Sequence, residues 1–531
     1  MKIKNPILPG FNPDPSICRV GQDYYIATST FEWYPGVRIY HSRDLSNWSL
    51  VATPLNRPDL LDMRGVPDSC GIWAPCLTFS DGRFWLVYTA TRRFDGNFKD
   101  TPNYLTTCET LDGDWSERVY LNSSGFDPSL FHDDDGGKWL LNMVWDHRPD
   151  RTFFRGIMLQ EYSVDRQALV GPSRIIFEGT ALDCTEGPHL YRRGGWYHLM
   201  TAEGGTGYGH AVTTARSKDI WGPYETDPEG PCLTARDLPD APLQRCGHGS
   251  LVETSDGELY IAHLCSRPLP GTRRSPLGRE SALQKAVFTD DGWFRLASGT
   301  SAPELEVDGP DVEAAEPPAQ LGRDDFDAPA LNAAYQWLRT PSPEDFYSLT
   351  ERPGFLRLKG RESLGSLFEQ ALIARRQTDF DYQATTSVDF VPETFQQSAG
   401  LVCYYNGHKF HYLYISTDSA MGRHLGIMSA TGELSLDVVF PIEAERIALP
   451  ERAPIHLRAD VQGARLRFSW SLDGAAWNEI PAELDASLLA DEAGKGEGAN
   501  FTGAFVGLCC QDLTGRGLAA DFDYFHYRPG R

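Results

Sequence analysis

The sequence predicts an all-β protein, a five-bladed β-propeller followed by a C-terminal β-sandwich, and three observations carry that prediction. A short apolar element at a Pro or Gly, a turn and an aromatic-rich strand recur five times, starting at Asp14, Ala74, Asp127, Gly187 and His248. After position 322 strand-like alternation continues without that repeat, and no long amphipathic helix interrupts either half. A strand repeat spaced by 53 to 61 residues marks a propeller, whose blades bury their faces only by closing into a ring.

Each element has its own signal. The five copies read Asp14-Pro15-Ser16-Ile17 into Tyr24-Tyr25-Ile26, Ala74-Pro75-Cys76-Leu77 into Phe84-Trp85-Leu86, Asp127-Pro128-Ser129-Leu130 into Trp139-Leu140-Leu141, Gly187-Pro188-His189-Leu190 into Trp196-Tyr197-His198, and His248-Gly249-Ser250-Leu251 into Leu259-Tyr260-Ile261. Ser80-Asp81-Gly82, Asp135-Gly136-Gly137, Arg193-Gly194-Gly195 and Ser255-Asp256-Gly257 supply the hairpin turns between them. The propeller takes residues 1–300. Residues 301–321 are acidic and carry Pro303, Pro310, Pro317 and Pro318, a linker composition. Residues 322–531 form the sandwich, with strands expected at Phe355–Leu358, Tyr382–Phe390, Leu401–Tyr405, Tyr412–Ser416, Ile455–Val461 and Leu466–Leu472.

Composition narrows the function. The 531 residues carry a net charge of −24, which argues against nucleic acid or an anionic membrane as partner and favours a neutral ligand. The N-terminus lacks the apolar stretch of a signal peptide, and no run reaches membrane-spanning length. Eleven Cys, including adjacent Cys509 and Cys510, suit reduced thiols better than a disulfide framework. The protein therefore reads as soluble and cytoplasmic. The acidic run Asp133-Asp134-Asp135-Gly136 reads as a solvated hairpin turn, because the later ligand positions of a calcium loop do not follow.

The first strand of each blade lines a propeller's channel, so residues at the repeat's start meet near one axis. Asp14, Trp73, Asp127, Glu186 and His248 stand there. Paired carboxylates across a pocket are the minimal equipment for hydrolysing a glycosidic bond: one, protonated, serves the leaving oxygen, and the other, ionised, activates water. Asp14 is read as general base, Glu186 as general acid, and Asp127 as the neighbour that raises the acid's pKa and orients it. Walls on different blades leave room for water, which favours inversion.

Asn12-Pro13-Asp14-Pro15-Ser16-Ile17, Ile72-Trp73-Ala74-Pro75, Gly125-Phe126-Asp127-Pro128-Ser129-Leu130, Glu186-Gly187-Pro188-His189 and Gly278-Arg279-Glu280-Ser281-Ala282-Leu283-Gln284 together resemble glycoside hydrolase family 43, and more narrowly its two-domain β-1,4-xylosidases. The resemblance extends to Phe501-Thr502-Gly503-Ala504-Phe505-Val506-Gly507 and Asp521-Phe522-Asp523-Tyr524-Phe525. It implies a sandwich of the concanavalin A or lectin-like kind and an inverting, exo-acting enzyme. Such an enzyme removes xylose from non-reducing ends of xylooligosaccharides, with α-L-arabinofuranosidase side activity. The family's base, pKa-modulating Asp and acid fall on Asp14, Asp127 and Glu186. It further implies that Phe31 and Trp73 wall the terminal sugar, that Arg279 binds its hydroxyls and that Trp145 borders the next subsite. Lys99 and Thr206 line the pocket, and His248 supports Asp127's surroundings or a hydrated ion. The Phe501 loop covers the mouth. No cofactor is required, a calcium ion near the propeller axis is the one candidate, and a dimer or tetramer is expected. The competing readings are an α-L-arabinofuranosidase and a carbohydrate-binding protein that does not cleave, the latter disfavoured by three intact carboxyl groups.

Overall fold

In a computed structural model, which describes residues 1–318, 321–432, 438–440, 446–494 and 500–530, the first half of the chain forms five consecutive antiparallel sheets. Their innermost strands are Ser16–Val20, Gly71–Ser80, Ser129–His132, Glu186–Arg193 and Gln244–Glu253, and each sheet runs outward in chain order. The hairpin turns fall where the sequence places them; Lys138–Trp145 follows Ser129–His132 across the Asp133–Gly137 turn, for example. Asp133 is engaged there by Arg192 (2.6 Å) and Tyr197 (2.8 Å), a hairpin brace and not a cation loop.

The repeat's phase has a backbone cause. All five starting residues lie in the left-handed region, with φ of +55° at Asp14, +31° at Ala74, +55° at Asp127, +54° at Gly187 and +49° at His248. Pairing shifts register beside three of them, between Trp73 and Cys76, between Glu186 and His189, and between Gly247 and Ser250. A bulge at the head of an inner strand re-aims the local side chains, here into the channel. Four non-glycine residues holding this conformation is a strained arrangement, of the sort concentrated at functional sites.

The ring is locked from the N-terminus. Lys2–Lys4 pairs antiparallel with Glu306–Asp308, and Leu8 exchanges backbone hydrogen bonds with Ser281 of the fifth blade. Part of the segment read as linker is thus a strand: Val307 is buried with Ile3 between the prolines that made it look unstructured. Positions 319 and 320 of that linker lie outside the described residues, as does the sandwich's last residue, 531.

The sandwich stacks two antiparallel sheets. One orders Tyr347–Ser348, Leu356–Lys359, Ala519–Pro529, Asp381–Asp389, Ile455–Gln462, Arg465–Ser471 and Asn478–Asp485. Its strands alternate as a half-buried sheet should; Leu457, Ala459 and Val461 point inward. The other sheet contains Gly422–Thr431, Lys409–Asp418, Gln397–Asn406, Phe505–Asp512, Ala371–Arg376 and Tyr335–Leu338. Gln397–Asn406 and Phe505–Asp512 are buried at every position, because one face meets the first sheet and the other meets the propeller. That sheet ends on a strand from the other domain: Trp33–Tyr34 of blade 1 pairs with Trp337–Leu338, and the Trp33 indole stacks on Phe505 at 3.6 Å. Among the described residues, helix is confined to the short 3₁₀ turns Pro343–Asp345 and Ala486–Leu488.

Asn5 joins the N-terminal segment to blade 5. Its amide donates to Leu283 O (2.8 Å) and Glu304 O (2.9 Å), and its Oδ1 accepts from Leu283 N (2.8 Å). Asn5→Ala leaves buried backbone groups unpaired and is expected to lower stability by about 2–3 kcal/mol. Urea unfolding of the variant against the parent measures it; a change within about 0.5 kcal/mol would contradict this role for the lock.

Candidate active site

The channel mouth facing the sandwich holds a cavity of about 280 Å³ lined by Asp14, Asp127, Glu186, Arg279, His248, His210, Lys99, Thr206, Gly205 and six aromatic rings besides Phe501. All eleven residues singled out from the sequence reach it, from all five blades and, through Phe501, the sandwich. The bulges explain how residues so distant in sequence converge.

Asp14 is held on both oxygens. Ser29 Oγ donates to Oδ2 (2.7 Å) while accepting from Ala74 N (2.7 Å), so the second blade's bulge fixes the first blade's carboxylate. Arg279 Nη1 donates to Oδ1 at 3.2 Å and to Thr206 Oγ1 at 3.1 Å, and its Nη2 donates to the carbonyl of Phe501 at 2.9 Å. The guanidinium also faces the Phe31 ring, 5.1 Å from its centroid. Asp127 Oδ2 accepts from Gly187 N (3.1 Å), the amide that follows Glu186, which orients the Glu186 backbone.

Glu186 and Asp127 have no ion pair among the described residues, and their pKa values rise together. Burial is the largest cause for Glu186, followed by repulsion from Asp14, against the pull of Arg279 and Lys99; it is pushed up to about 8. Asp127 rises well above the carboxylate range through burial, then Glu186, then Asp14. The sequence reading has Asp127's charge raise Glu186. In the structure desolvation leads, and the mutual repulsion registers in Asp127. Two adjacent buried carboxyl groups titrate as a unit that retains a proton.

The aromatic wall is continuous. Trp73 packs against Phe31 (5.9 Å between centroids), Phe126 (5.4 Å) and Phe501 (5.8 Å), and Phe94 meets Phe501 at 5.2 Å. Trp145, anchored by Nε1 to Asn97 O (2.8 Å), extends it past Phe126 with Phe154 at its edge. Lys99 donates to Phe94 O (2.6 Å), with its ammonium 4.2 Å from the Trp145 centroid, and burial lowers its pKa. An apolar wall opposite clustered polar groups is how proteins hold a sugar, whose ring faces are apolar and whose rim is hydroxylated.

His248 faces Asp14, with Nδ1 3.9 Å from Asp14 Oδ1. Its ring rests on Gly187, where an added Cβ would come within 3.0 Å of the imidazole on a backbone already at positive φ. The donor set does not fit direct coordination of calcium. His248 offers nitrogen where calcium takes oxygen donors, Asp14 is already bonded to Arg279 and Ser29, and no group of three or more metal-binding side chains occurs among the described residues. Sequence reasoning missed Phe94, Phe154, Gly205 and His210 and took Phe126 only as part of a motif. Phe126 precedes Asp127 in the repeat and was findable. His210 follows the loop Gly204–Gly209, outside any repeat; burial and His248 push its pKa down to about 3.

Residues 3–294 match the model of Glycosyl hydrolases family 43, and residues 323–528 match that of the beta xylosidase C-terminal concanavalin A-like domain. The chain is 53% identical to xylosidase/arabinosidase 43B of Humicola insolens, covering 99% of this chain and 98% of that one. It is 49% identical to a beta-xylosidase of Bacillus subtilis (99% and 100% covered) and 46% identical to a xylan 1,3-beta-xylosidase of a Vibrio species (99% and 99%). The crystal structure of a xylan beta-1,4-xylosidase from Bacillus halodurans superposes with a TM-score of 0.96 at 49% identity over 99% of this chain and 100% of that one.

The raised carboxyl pair links the site to stability. A carboxyl group whose folded pKa exceeds its unfolded value near 4.5 binds its proton more tightly in the folded state, so its own contribution to stability is fully present below about pH 4.5 and is lost as pH climbs to about 8. Glu186→Gln, neutral throughout, removes that decline. The melting temperature of the variant relative to the parent is expected to increase from pH 5 to pH 8; a difference independent of pH would show that Glu186 carries no such strain.

Proposed function

The chain belongs to glycoside hydrolase family 43, and from that premise we propose that this glycoside hydrolase is an inverting, exo-acting β-1,4-xylosidase that releases xylose from non-reducing ends of xylooligosaccharides. The observation that carries the reading is one cavity in which a carboxyl group raised to about 8, Glu186, shares the site with Asp14, a carboxylate hydrogen-bonded to a guanidinium.

Glu186, protonated at neutral pH, is the general acid that gives its proton to the glycosidic oxygen as the bond to the anomeric carbon breaks. Asp14 is the general base that takes a proton from water as the water oxygen bonds to that carbon from the opposite face. Asp127, through Gly187 N, holds the acid in place, and the two raised carboxyl groups keep a proton between them. Arg279 keeps Asp14 aimed and presents its remaining donor capacity to sugar hydroxyls. Phe31, Trp73 and Phe501 wall the terminal sugar, and Trp145 with Lys99 borders the next one. A cavity covered by Phe501 takes a chain end and not a chain middle, which favours exo action. The chemistry draws on water and carboxyl groups alone. Cytoplasmic location and a dimer or tetramer belong to the same proposal; all eleven cysteines are free.

Two names among the relatives favour companion readings. The Humicola protein is named for both xylosidase and arabinosidase activity, and the Vibrio protein for the 1,3-linkage. We infer α-L-arabinofuranosidase side activity here, since the furanoside presents a similar hydroxylated rim. Comparing kcat/KM on β-1,4- and β-1,3-xylobiose and on the two nitrophenyl glycosides ranks these readings; a preference for the arabinofuranoside would reverse the assignment.

Asp14→Ala and Glu186→Ala are each expected to reduce kcat on xylobiose by on the order of a hundredfold to ten-thousandfold, with circular dichroism unchanged. Undiminished turnover in both would refute the roles given. Proton NMR of the first-formed sugar is expected to show α-xylose. Activity should decline on the alkaline side with an apparent pKa near 8, the loss of the acid's proton.

A further inference from the structure

Arg279 depends on two groups that belong to different domains, the Thr206 hydroxyl of blade 4 and the Phe501 carbonyl of the sandwich. Behind them lies a second, largely buried polar assembly whose side chains do not line the cavity. Arg245, on the inner strand of blade 5 with φ of +55°, is 1% exposed. Its Nε donates to the Thr206 carbonyl (3.0 Å), its Nη2 to Asp491 Oδ2 (3.0 Å) and its Nη1 to Glu492 Oε1 (3.0 Å). Asp491, 0% exposed, accepts on Oδ1 from the Tyr405 hydroxyl, and that hydroxyl in turn accepts from Thr502 N (3.1 Å). Glu492 Oε2 accepts from Ser275 N (3.0 Å) in the loop before Arg279.

We propose that Arg245, Asp491 and Tyr405 are positioning residues, a relay that fixes Thr206 and Phe501 on either side of Arg279 and so holds the sugar pocket closed. The inference rests on the exo-acting reading of that pocket. A buried ion pair contributes little net stability against an apolar replacement, so burial of this one is better explained by the geometry it imposes. Arg245 bonds Thr206 on one side and Asp491 on the other, Tyr405 bonds Thr502 and Asp491, and Asp491 joins the two. Phe501 itself is bonded on its far side, its N–H donating to Ser69 Oγ (3.1 Å), and Ser69 O accepts from the Trp73 indole (3.0 Å). Loosening the relay leaves Phe501 held at one end and Arg279 without a fixed carbonyl.

Tyr405→Phe removes one hydroxyl without changing shape, and Asp491→Asn keeps an acceptor for Tyr405 while removing the charge that meets Arg245. Both are tested by amide hydrogen exchange without substrate and by steady-state kinetics on xylobiose. Expected in each variant are exchange at residues 501–504 faster by about tenfold and KM higher by about tenfold, with kcat falling by less than KM rises because Arg279 also aims Asp14. Parental exchange and parental KM in both variants would overturn the proposal. A lowered melting temperature with KM unchanged would overturn it too, since a merely structural contribution produces that pattern. The exchange comparison needs no turnover, so a parent inactive on xylobiose would count against the exo-xylosidase reading and leave the relay to be judged separately.

Discussion

Three carboxyl groups share one cavity with one guanidinium, and the charge arithmetic of that arrangement governs the site. Arg279 donates directly to Asp14 alone. In a low-dielectric pocket a carboxylate without a partner costs far more than a protonated one, so the pair left over, Asp127 and Glu186, keeps a proton. The acid and the base are thus told apart by which of them the cation reaches, and the protein needs no second cation at the acid to achieve this. Lys99 is close enough to influence Glu186, and one of its three donors is taken by Phe94 O.

Arg279 in turn is only as well placed as its other partners. Thr206 comes from a glycine-rich loop of blade 4 and Phe501 from the sandwich, so the orientation of one side chain integrates two blades and a second domain. The aromatic wall follows the same plan, with Phe31, Trp73, Phe94, Phe126 and Phe501 drawn from three blades and the sandwich. Neither domain alone contains the pocket.

What the sequence made legible was the periodic part. Asp14, Asp127 and His248 could be aligned because each holds a left-handed backbone at or just before an inner strand, and that conformation leaves a short-range signature of Pro or Gly beside it. Position in the repeat then predicts position in space. Phe501, Arg279 and Lys99 lie outside that logic and were reachable only through the resemblance to family 43. Phe94, Phe154 and His210 carried no signal at all, since an aromatic residue in a loop or beside a strand end reads equally well as packing. The sandwich strands were found, but not the burial of Gln397–Asn406 and Phe505–Asp512 on both faces, which depends on a partner surface that local alternation does not encode. The short strand Glu306–Asp308 was hidden by flanking prolines.

The pairing of Trp33–Tyr34 with Trp337–Leu338 has a bearing on how such a protein can be recombined. Propeller and sandwich look like separable modules in the linear chain, joined by a proline-rich tether. Yet the outermost rung of the second module's sheet is donated by the first, and Trp33 stacks on Phe505 across the seam. A propeller expressed by itself would present an unmatched tryptophan rung, and a sandwich transplanted onto a foreign propeller would arrive with an open edge. The structural unit is the propeller and sandwich together, and engineering by domain shuffling must carry blade 1's second loop along with the sandwich it completes.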